Sequence, residues 1–179
     1  MNNLIAGLTQ NEVVAVPPNG VKLAEWKPGG PTMALLTQGL NSCTAVGIIS
    51  TKAGILAHIA PFADEDIHLL NAPEPVDIGA RNLAAKLDQV VDLYNRYRHL
   101  FPETRSFILA ALDATTITNP DAVALCRHTL GSLRLPLTID GYQRLPPSVG
   151  RPLGWTWVVI KVERFGEMPR VYVNLSLWL

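Results

Sequence analysis

The chain has 179 residues, with 15 acidic and 15 basic side chains and no formal net charge. Hydrophobic residues make up 48% and charged residues 17%, a composition that is typical of a compact globular domain and excludes intrinsic disorder. A balanced charge without a basic block argues against nucleic acid as a partner. The two cysteines, Cys43 and Cys126, form neither a disulfide framework nor a CxxC motif.

The length predicts a single domain over residues 1–179, which begins with an irregular segment, 1–30. Short strands are expected there at 13–16 and 21–23, on either side of a Pro-Pro-Asn-Gly turn. The first residues lack the basic start and apolar run of a signal peptide, and no segment reaches transmembrane length. We therefore expect a cytoplasmic protein with reduced thiols and no membrane insertion.

After a strand at 33–37, two apolar runs predict a β-hairpin that contains Cys43 in its first strand and His58 in its second. With a tight Ser50–Thr51 turn, Cys43 would lie directly opposite His58, where Cβ atoms are about 4.5–5.5 Å apart. A loop longer by two residues would shift the pair diagonally but keep both on one face. Either arrangement would let the imidazole take the thiol proton, as a cysteine nucleophile requires.

The hairpin faces differ in the size of their side chains. The face of Cys43 carries small residues near the sulfur, so the sequence predicts open space there for a substrate. The other face carries large branched residues that indicate core packing, namely Val46, Ile48, Ile55 and Ile59. The alternative is a buried cysteine beside a histidine that only satisfies its hydrogen bonds, and this is the commoner state of an arbitrary Cys/His pair.

The residues around this pair form a motif. It comprises Thr37, then Leu40-Asn41-Ser42-Cys43, a strand, Gly54, and Ala57-His58-Ile59-Ala60-Pro61. It resembles the CheD chemoreceptor glutamine deamidases and, more remotely, the catalytic domain of the cytotoxic necrotizing factor toxins. The order of elements is similar over most of residues 30–175, and the close motif covers about thirty residues.

The resemblance implies a Cys-His-Thr triad, with Cys43 as nucleophile, His58 as base and Thr37 as the group that orients the imidazole. Backbone N–H groups at the turn formed by Asn41, Ser42 and Cys43 would stabilise the oxyanion. Asn41 stands where the family usually has glycine, a mild departure because asparagine tolerates positive φ. The family's Gly-Gly-Ala stretch is absent, and Ala-Ala-Leu-Asp-Ala stands there at residues 110–114.

The following loop, 61–76, carries Asp64, Glu65, Asp66 and His68. No ligand spacing supports a metal site, and we interpret it as a solvated acidic loop that borders the site. We predict no metal and no cofactor.

Downstream, apolar periodicity predicts a helix over 77–98 and a central strand over 106–112. Asn119 and Pro120 predict the start of a second helix, which would end near Gly131. Cys126 and His128 on this helix face different directions, so they do not form a chelating pair. Three further strands are expected at 135–139, 155–162 and 171–178, with a proline-rich loop at 144–154.

These elements predict an α+β fold in which mixed, β-sandwich-like sheets of seven to nine strands are flanked by two main helices. The resemblance implies a cysteine-dependent amidohydrolase that deamidates protein glutamine. A catalytically inactive CheD-like module that binds proteins is the alternative, and a transglutaminase-like or peptide-bond hydrolase would use the same nucleophile. The substrate protein and the oligomeric state are left open.

Overall fold

The computed structural model describes residues 8–62, 77–144, 156–174 and 176–179. These residues form one α+β domain with two α-helices and eleven strands. The helices are α1 (Ile78–Arg96) and α2 (Pro120–Ser132), and 3₁₀ turns lie at Gln10–Glu12 and Arg98–Leu100. The strands are β1 (Val13–Ala15), β2 (Val21–Glu25), β3 (Ala34–Gln38), β4 (Thr44–Ile49), β5 (Ala53–Ile59), β6 (Arg105–Asp113), β7 (Thr116–Ile117), β8 (Leu137–Gln143), β9 (Trp157–Lys161), β10 (Arg170–Val173) and β11 (Ser176–Leu177).

The strands form two mixed sheets that pack face to face, as predicted. The smaller sheet has the order β1-β3-β9-β10-β11, with β1 parallel to β3. The larger has the order β2-β5-β4-β6-β7, and β8 joins it parallel to β6. Residues of both sheets, including Leu35 and Leu56, form the core between them. A second core lies between the larger sheet and both helices, so the layers are helix, sheet and sheet.

Helix α2 begins at the predicted cap, Asn119, which accepts a hydrogen bond from the N–H of Ala122. Asp77, predicted as the first residue of α1, is instead its cap and accepts a hydrogen bond from the N–H of Ala80. The apolar stripe of α1 packs on the larger sheet, as the spacing of its apolar residues predicts. Helix α2 runs one residue past Gly131, and its Cys126 is fully buried while His128 is exposed.

The β4–β5 hairpin exists, but the register based on a two-residue turn is wrong. Ile49 pairs with Gly54, so the loop is longer by two residues and Ala45, not Cys43, lies opposite His58. The hydroxyl of Ser50 explains the longer loop, because it accepts the N–H of Ala53 at 3.0 Å and donates to Leu100 O at 2.6 Å. Cys43 therefore takes the diagonal position, just before β4.

Other element boundaries also differ from the sequence-based expectation. There are eleven described strands rather than seven to nine. The predicted C-terminal strand is two strands, β10 and β11, because the chain turns at Asn174 with φ 49°. Strand β8 continues to Gln143, four residues beyond its predicted end. The acidic loop over 63–76, the first seven residues and the proline-rich segment over 145–155 lie outside the described residues.

Neither described helix combines the length and the apolar character that a membrane crossing would need.

Candidate functional site

The central feature of the candidate site is a hydrogen bond that joins the two sheets. His58 lies near the end of β5 in the larger sheet, and Thr37 lies in β3 of the smaller one. Thr37 Oγ1 is 2.7 Å from His58 Nδ1, and both residues are only 1% exposed. The structure thus brings together two of the three predicted triad residues through the ring nitrogen that an orienting group must contact.

The second bond of Thr37 fixes the tautomer of the imidazole. Thr37 Oγ1 is 2.9 Å from the carbonyl oxygen of Val16, which can only accept a hydrogen bond. The single hydroxyl proton is therefore donated to Val16, and Thr37 accepts the N–H of His58 Nδ1. A neutral His58 consequently carries its lone pair on Nε2, the arrangement that a general base requires.

Burial keeps His58 neutral. It lowers the pKa of the imidazole from 6.5 to about 4, because the charged form loses its hydration inside the protein. Nε2 is itself buried and has no hydrogen-bond partner among the residues that the structure describes. At neutral pH the site therefore holds an uncharged imidazole with one unused acceptor atom.

The turn between β1 and β2 forms hydrogen bonds that hold His58 in place. Gly20 O accepts the backbone N–H of His58 at 2.9 Å, so the same turn holds the backbone of His58 and, through Val16, its ring. Asn19, with φ 55°, accepts the N–H of Ala60 and the side-chain N–H of Asn82. These bonds fix the backbone at His58 and at Ala60, two residues after it.

Cys43 lies on the same face of the larger sheet as His58. It is half-buried and packs against the core between the two sheets. Because it is shifted by two residues from the position opposite His58, its Cβ lies on the diagonal, where separations are about 7–8 Å. A histidine side chain can span part of that distance.

Tyr142 holds the backbone of Cys43. Its hydroxyl donates to Cys43 O at 2.7 Å from β8, which lies two strands away across β6. The Tyr142 ring is buried in the core between the sheets. Burial raises the pKa of the phenol, so the hydroxyl stays protonated as a donor.

The turn before Cys43 is built differently from the expectation. Its positive φ is at Gly39, at 82°, while Asn41 is not among the residues with positive φ. Asn41 is buried and Ser42 is exposed. The tolerance of asparagine for positive φ is therefore not used here. The oxyanion role of the Asn41 and Ser42 turn stays a prediction.

Two small residues of the hairpin, Gly47 and Gly54, pack against aromatic rings, while the open space expected near the Cys43 sulfur stays a prediction. A Cβ atom on Gly47 would overlap the ring of Phe107, and one on Gly54 would lie 2.7 Å from Trp26 Cζ2. Both glycines thus accommodate large aromatic rings of the core. A glycine within a strand often marks a bulge or a place where another group comes close to the backbone, and Gly47 and Gly54 are places of the second kind.

A cavity of about 310 Å³ lies on the other face of the larger sheet. Its described lining includes Ser42 and Thr44, on either side of Cys43, together with residues at the starts of α1 and α2. Cys43 and His58 are not among those lining residues, because their side chains lie on the opposite face. The cavity is therefore separate from the Thr37–His58 pair.

The part of the chain that is described contains no cluster of three or more side chains able to hold a metal ion. The acidic residues at 64–68 lie outside that part.

No protein-family model matches this chain, and a search of curated proteins finds no match.

Sequence reasoning missed three contributors to the site. Val16 and Gly20 act through backbone carbonyls, which carry no residue-type signal. Tyr142 is 99 residues from Cys43 in the sequence. The sequence indicated only that the hydroxyl of a buried tyrosine usually needs a hydrogen-bond partner, not which partner it has.

Proposed function

We propose that this protein is a cysteine-dependent amidohydrolase that deamidates protein glutamine, with Cys43 as nucleophile and His58 as base. The observation that carries the proposal is the Val16–Thr37–His58 chain of hydrogen bonds, which leaves a lone pair on a buried Nε2. An imidazole that only satisfied its own hydrogen bonds would use both nitrogens. The unused acceptor, on the face that carries Cys43, supports a role in proton transfer.

The reaction follows from these groups and water. Nε2 of His58 takes the thiol proton as Cys43 Sγ bonds to the carboxamide carbon, and the proton then passes to the departing ammonia. The resulting thioester is hydrolysed by water, which gives glutamate and returns the thiol. Thr37 offers a hydroxyl rather than a carboxylate, so it stabilises the transient imidazolium only weakly. Slow turnover is the expected consequence, and it suits an enzyme that modifies proteins.

The partner under this proposal is a protein substrate. The zero net charge gives no support to nucleic acid binding. Cys43 and Cys126 form no disulfide, and Cys43 acts only as a reduced thiol under this proposal, so we place the protein in the cytoplasm.

The test is mass spectrometry of peptides that each carry one glutamine, incubated with the wild-type protein or with Cys43→Ser. Conversion of glutamine to glutamate with release of ammonia is expected for the wild type alone. Conversion by both proteins would assign the activity to another group. Conversion by neither, over a broad peptide set, would favour the inactive module.

A catalytically inactive binding module is the second candidate, and one observation favours it. His58 is 1% exposed, and its Nε2 atom is buried. This burial limits the access of a substrate to Nε2. Thiol reactivity distinguishes the two candidates, because an activated cysteine is alkylated quickly near neutral pH.

A further inference from the structure

Thr156, which the sequence did not single out, combines three unusual properties at the end of the sandwich that carries Cys43. It is 2% exposed, its hydroxyl has no hydrogen-bond partner among the described residues, and its φ is 26°. A buried hydroxyl without a partner is unfavourable, and positive φ is a genuine outlier for a β-branched residue. Such strain persists only where the surrounding structure imposes it, and it concentrates at functional sites.

The neighbouring contacts show how the conformation is imposed. Thr156 O accepts the N–H of Leu40 at 3.1 Å, three residues before Cys43. On its other side, Trp157 N–H donates to Asn174 Oδ1 at 3.0 Å, and Asn174 N–H donates back to Trp157 O. Hydrogen bonds therefore hold Thr156 to the turn before Cys43, and they hold the next residue, Trp157, to the β10–β11 turn.

Thr156 also lies at the same end of the smaller sheet as the partner of His58. Thr37 pairs with Val158 in the β3–β9 ladder, and Thr156 stands two residues before Val158. This end of the sandwich thus contains two buried polar atoms without partners, Thr156 Oγ1 and His58 Nε2. The hydroxyl can donate and accept, while Nε2 of the assigned tautomer accepts.

A primary carboxamide complements the Thr156 hydroxyl, since its carbonyl oxygen accepts a hydrogen bond, and Nε2 of His58 then stays available for the thiol proton. We propose that Thr156 is a substrate-contacting residue of the Cys43 site, whose hydroxyl donates to the carbonyl oxygen of the bound carboxamide. This inference rests on the proposed function and adds a residue that neither the motif nor the triad contains. It explains why a strained, unpaired threonine is retained inside the protein.

The test uses two thiol reagents of different chemistry on the intact protein. Iodoacetamide carries a primary carboxamide, whereas methyl methanethiosulfonate does not. Thr156→Val should lower the ratio of the iodoacetamide rate to the methanethiosulfonate rate at Cys43 by about 5-fold, the effect of one lost hydrogen bond. Thr156→Ser keeps the hydroxyl and should retain the wild-type ratio.

The melting temperature provides a readout independent of labelling. Because Thr156→Val removes a buried unpaired hydroxyl, its melting temperature should rise by about 2–4 °C. A lower melting temperature together with an unchanged rate ratio would identify a structural hydroxyl and overturn the inference.

The same experiment separates this inference from the proposed function. If Cys43 of the wild type reacts much faster than Cys126 but the ratio is unchanged in Thr156→Val, only the role of Thr156 fails. If Cys43 reacts no faster than Cys126, both the nucleophile and the carboxamide site fail.

Discussion

Thr37 and His58 belong to different sheets, and the 2.7 Å contact between their side chains joins the two halves of the sandwich. The Val16 carbonyl determines which atom donates in this contact. Because Thr37 donates its hydroxyl proton to Val16 O, it can only accept from Nδ1. This one hydrogen bond both joins the two sheets in the core and orients the His58 ring. Substitutions at Thr37 should therefore affect both stability and the state of the histidine.

Thr37→Val should destabilise the protein by about 1–3 kcal/mol, since it leaves buried groups on Val16 and His58 without partners. It should also remove the preference for the Nδ1–H tautomer. Nitrogen NMR of the His58 ring measures the tautomer, and chemical denaturation measures stability. Thr37→Ser is the matched control and should preserve the Nδ1–H form. An unchanged ring spectrum in Thr37→Val would show that another group orients the imidazole.

Protonation of His58 should make stability depend on pH. The folded pKa of about 4 lies below the unfolded value of 6.5, so the unfolded chain binds more protons between these values. Stability should be constant above pH 6.5 on this account and fall by about 3 kcal/mol as the pH drops to 4.

Denaturant midpoints across this range check that expectation. His58→Gln removes the titrating group while the other three histidines remain, so its pH dependence should be shallower than that of the wild type. Parallel curves for the two proteins would mean that the folded pKa of His58 is not lowered.

The two cysteines should differ strongly in reactivity. Cys43 is half-buried, whereas Cys126 is fully buried and its pKa is raised to about 12 by burial. In the folded protein, iodoacetamide should therefore alkylate Cys43 much faster than Cys126 near neutral pH. Intact-mass measurements on Cys43→Ala and Cys126→Ala assign each rate. In denaturant the two rates should converge, and similar rates in the folded state would contradict an activated Cys43.

Gly47 should be intolerant of even one methyl group. A Cβ atom there would overlap the Phe107 ring, so Gly47→Ala should cost about 1–3 kcal/mol of stability through overpacking. Gly131→Ala is the control, because a Cβ atom at that helical position meets nothing within 4 Å, and it should be neutral or stabilising by up to about 1 kcal/mol. Denaturant midpoints at equal m-values compare them. An equal effect at both positions would show that Phe107 moves freely.

Local signals predicted the elements but not their long-range geometry. The Asn119–Pro120 cap and the stripe of α1 depend on neighbours within a few residues, and both were correct. The register of the β4–β5 hairpin depends on Ser50 bonding Leu100, fifty residues away, which no local pattern contains. The aromatic rings that pack on Gly47 and Gly54 were not predicted for the same reason, because Phe107 and Trp26 come from distant segments.

The candidate site shows the same contrast between local sequence signals and long-range geometry. The motif placed Thr37 and His58 together correctly, since they lie on strands that the apolar runs define. Tyr142 reaches Cys43 through the parallel β8 pairing, and Thr156, just before β9, accepts a hydrogen bond from Leu40. Alternation of side chains predicts that a strand exists, but it does not name its partner.

Tyr142→Phe should separate support of the Cys43 backbone from ordinary packing. It removes the hydroxyl that donates to Cys43 O at 2.7 Å but keeps the buried ring. The expected cost is about 1 kcal/mol of stability, with a fall of about 10-fold in the alkylation rate of Cys43 as the backbone that presents the thiol loosens.

Tyr172→Phe is the matched control for this change. Its hydroxyl donates to Glu163 Oε1 at 2.9 Å and also interacts with Arg170, and its ring packs on the outer face of the smaller sheet. It should lower stability by a similar or smaller amount and leave the alkylation rate of Cys43 unchanged. If both variants alkylate at the wild-type rate while folded, the Tyr142 bond contributes to stability alone. If only Tyr142→Phe is slower, the bond positions the nucleophile, because loss of packing is excluded by the retained ring.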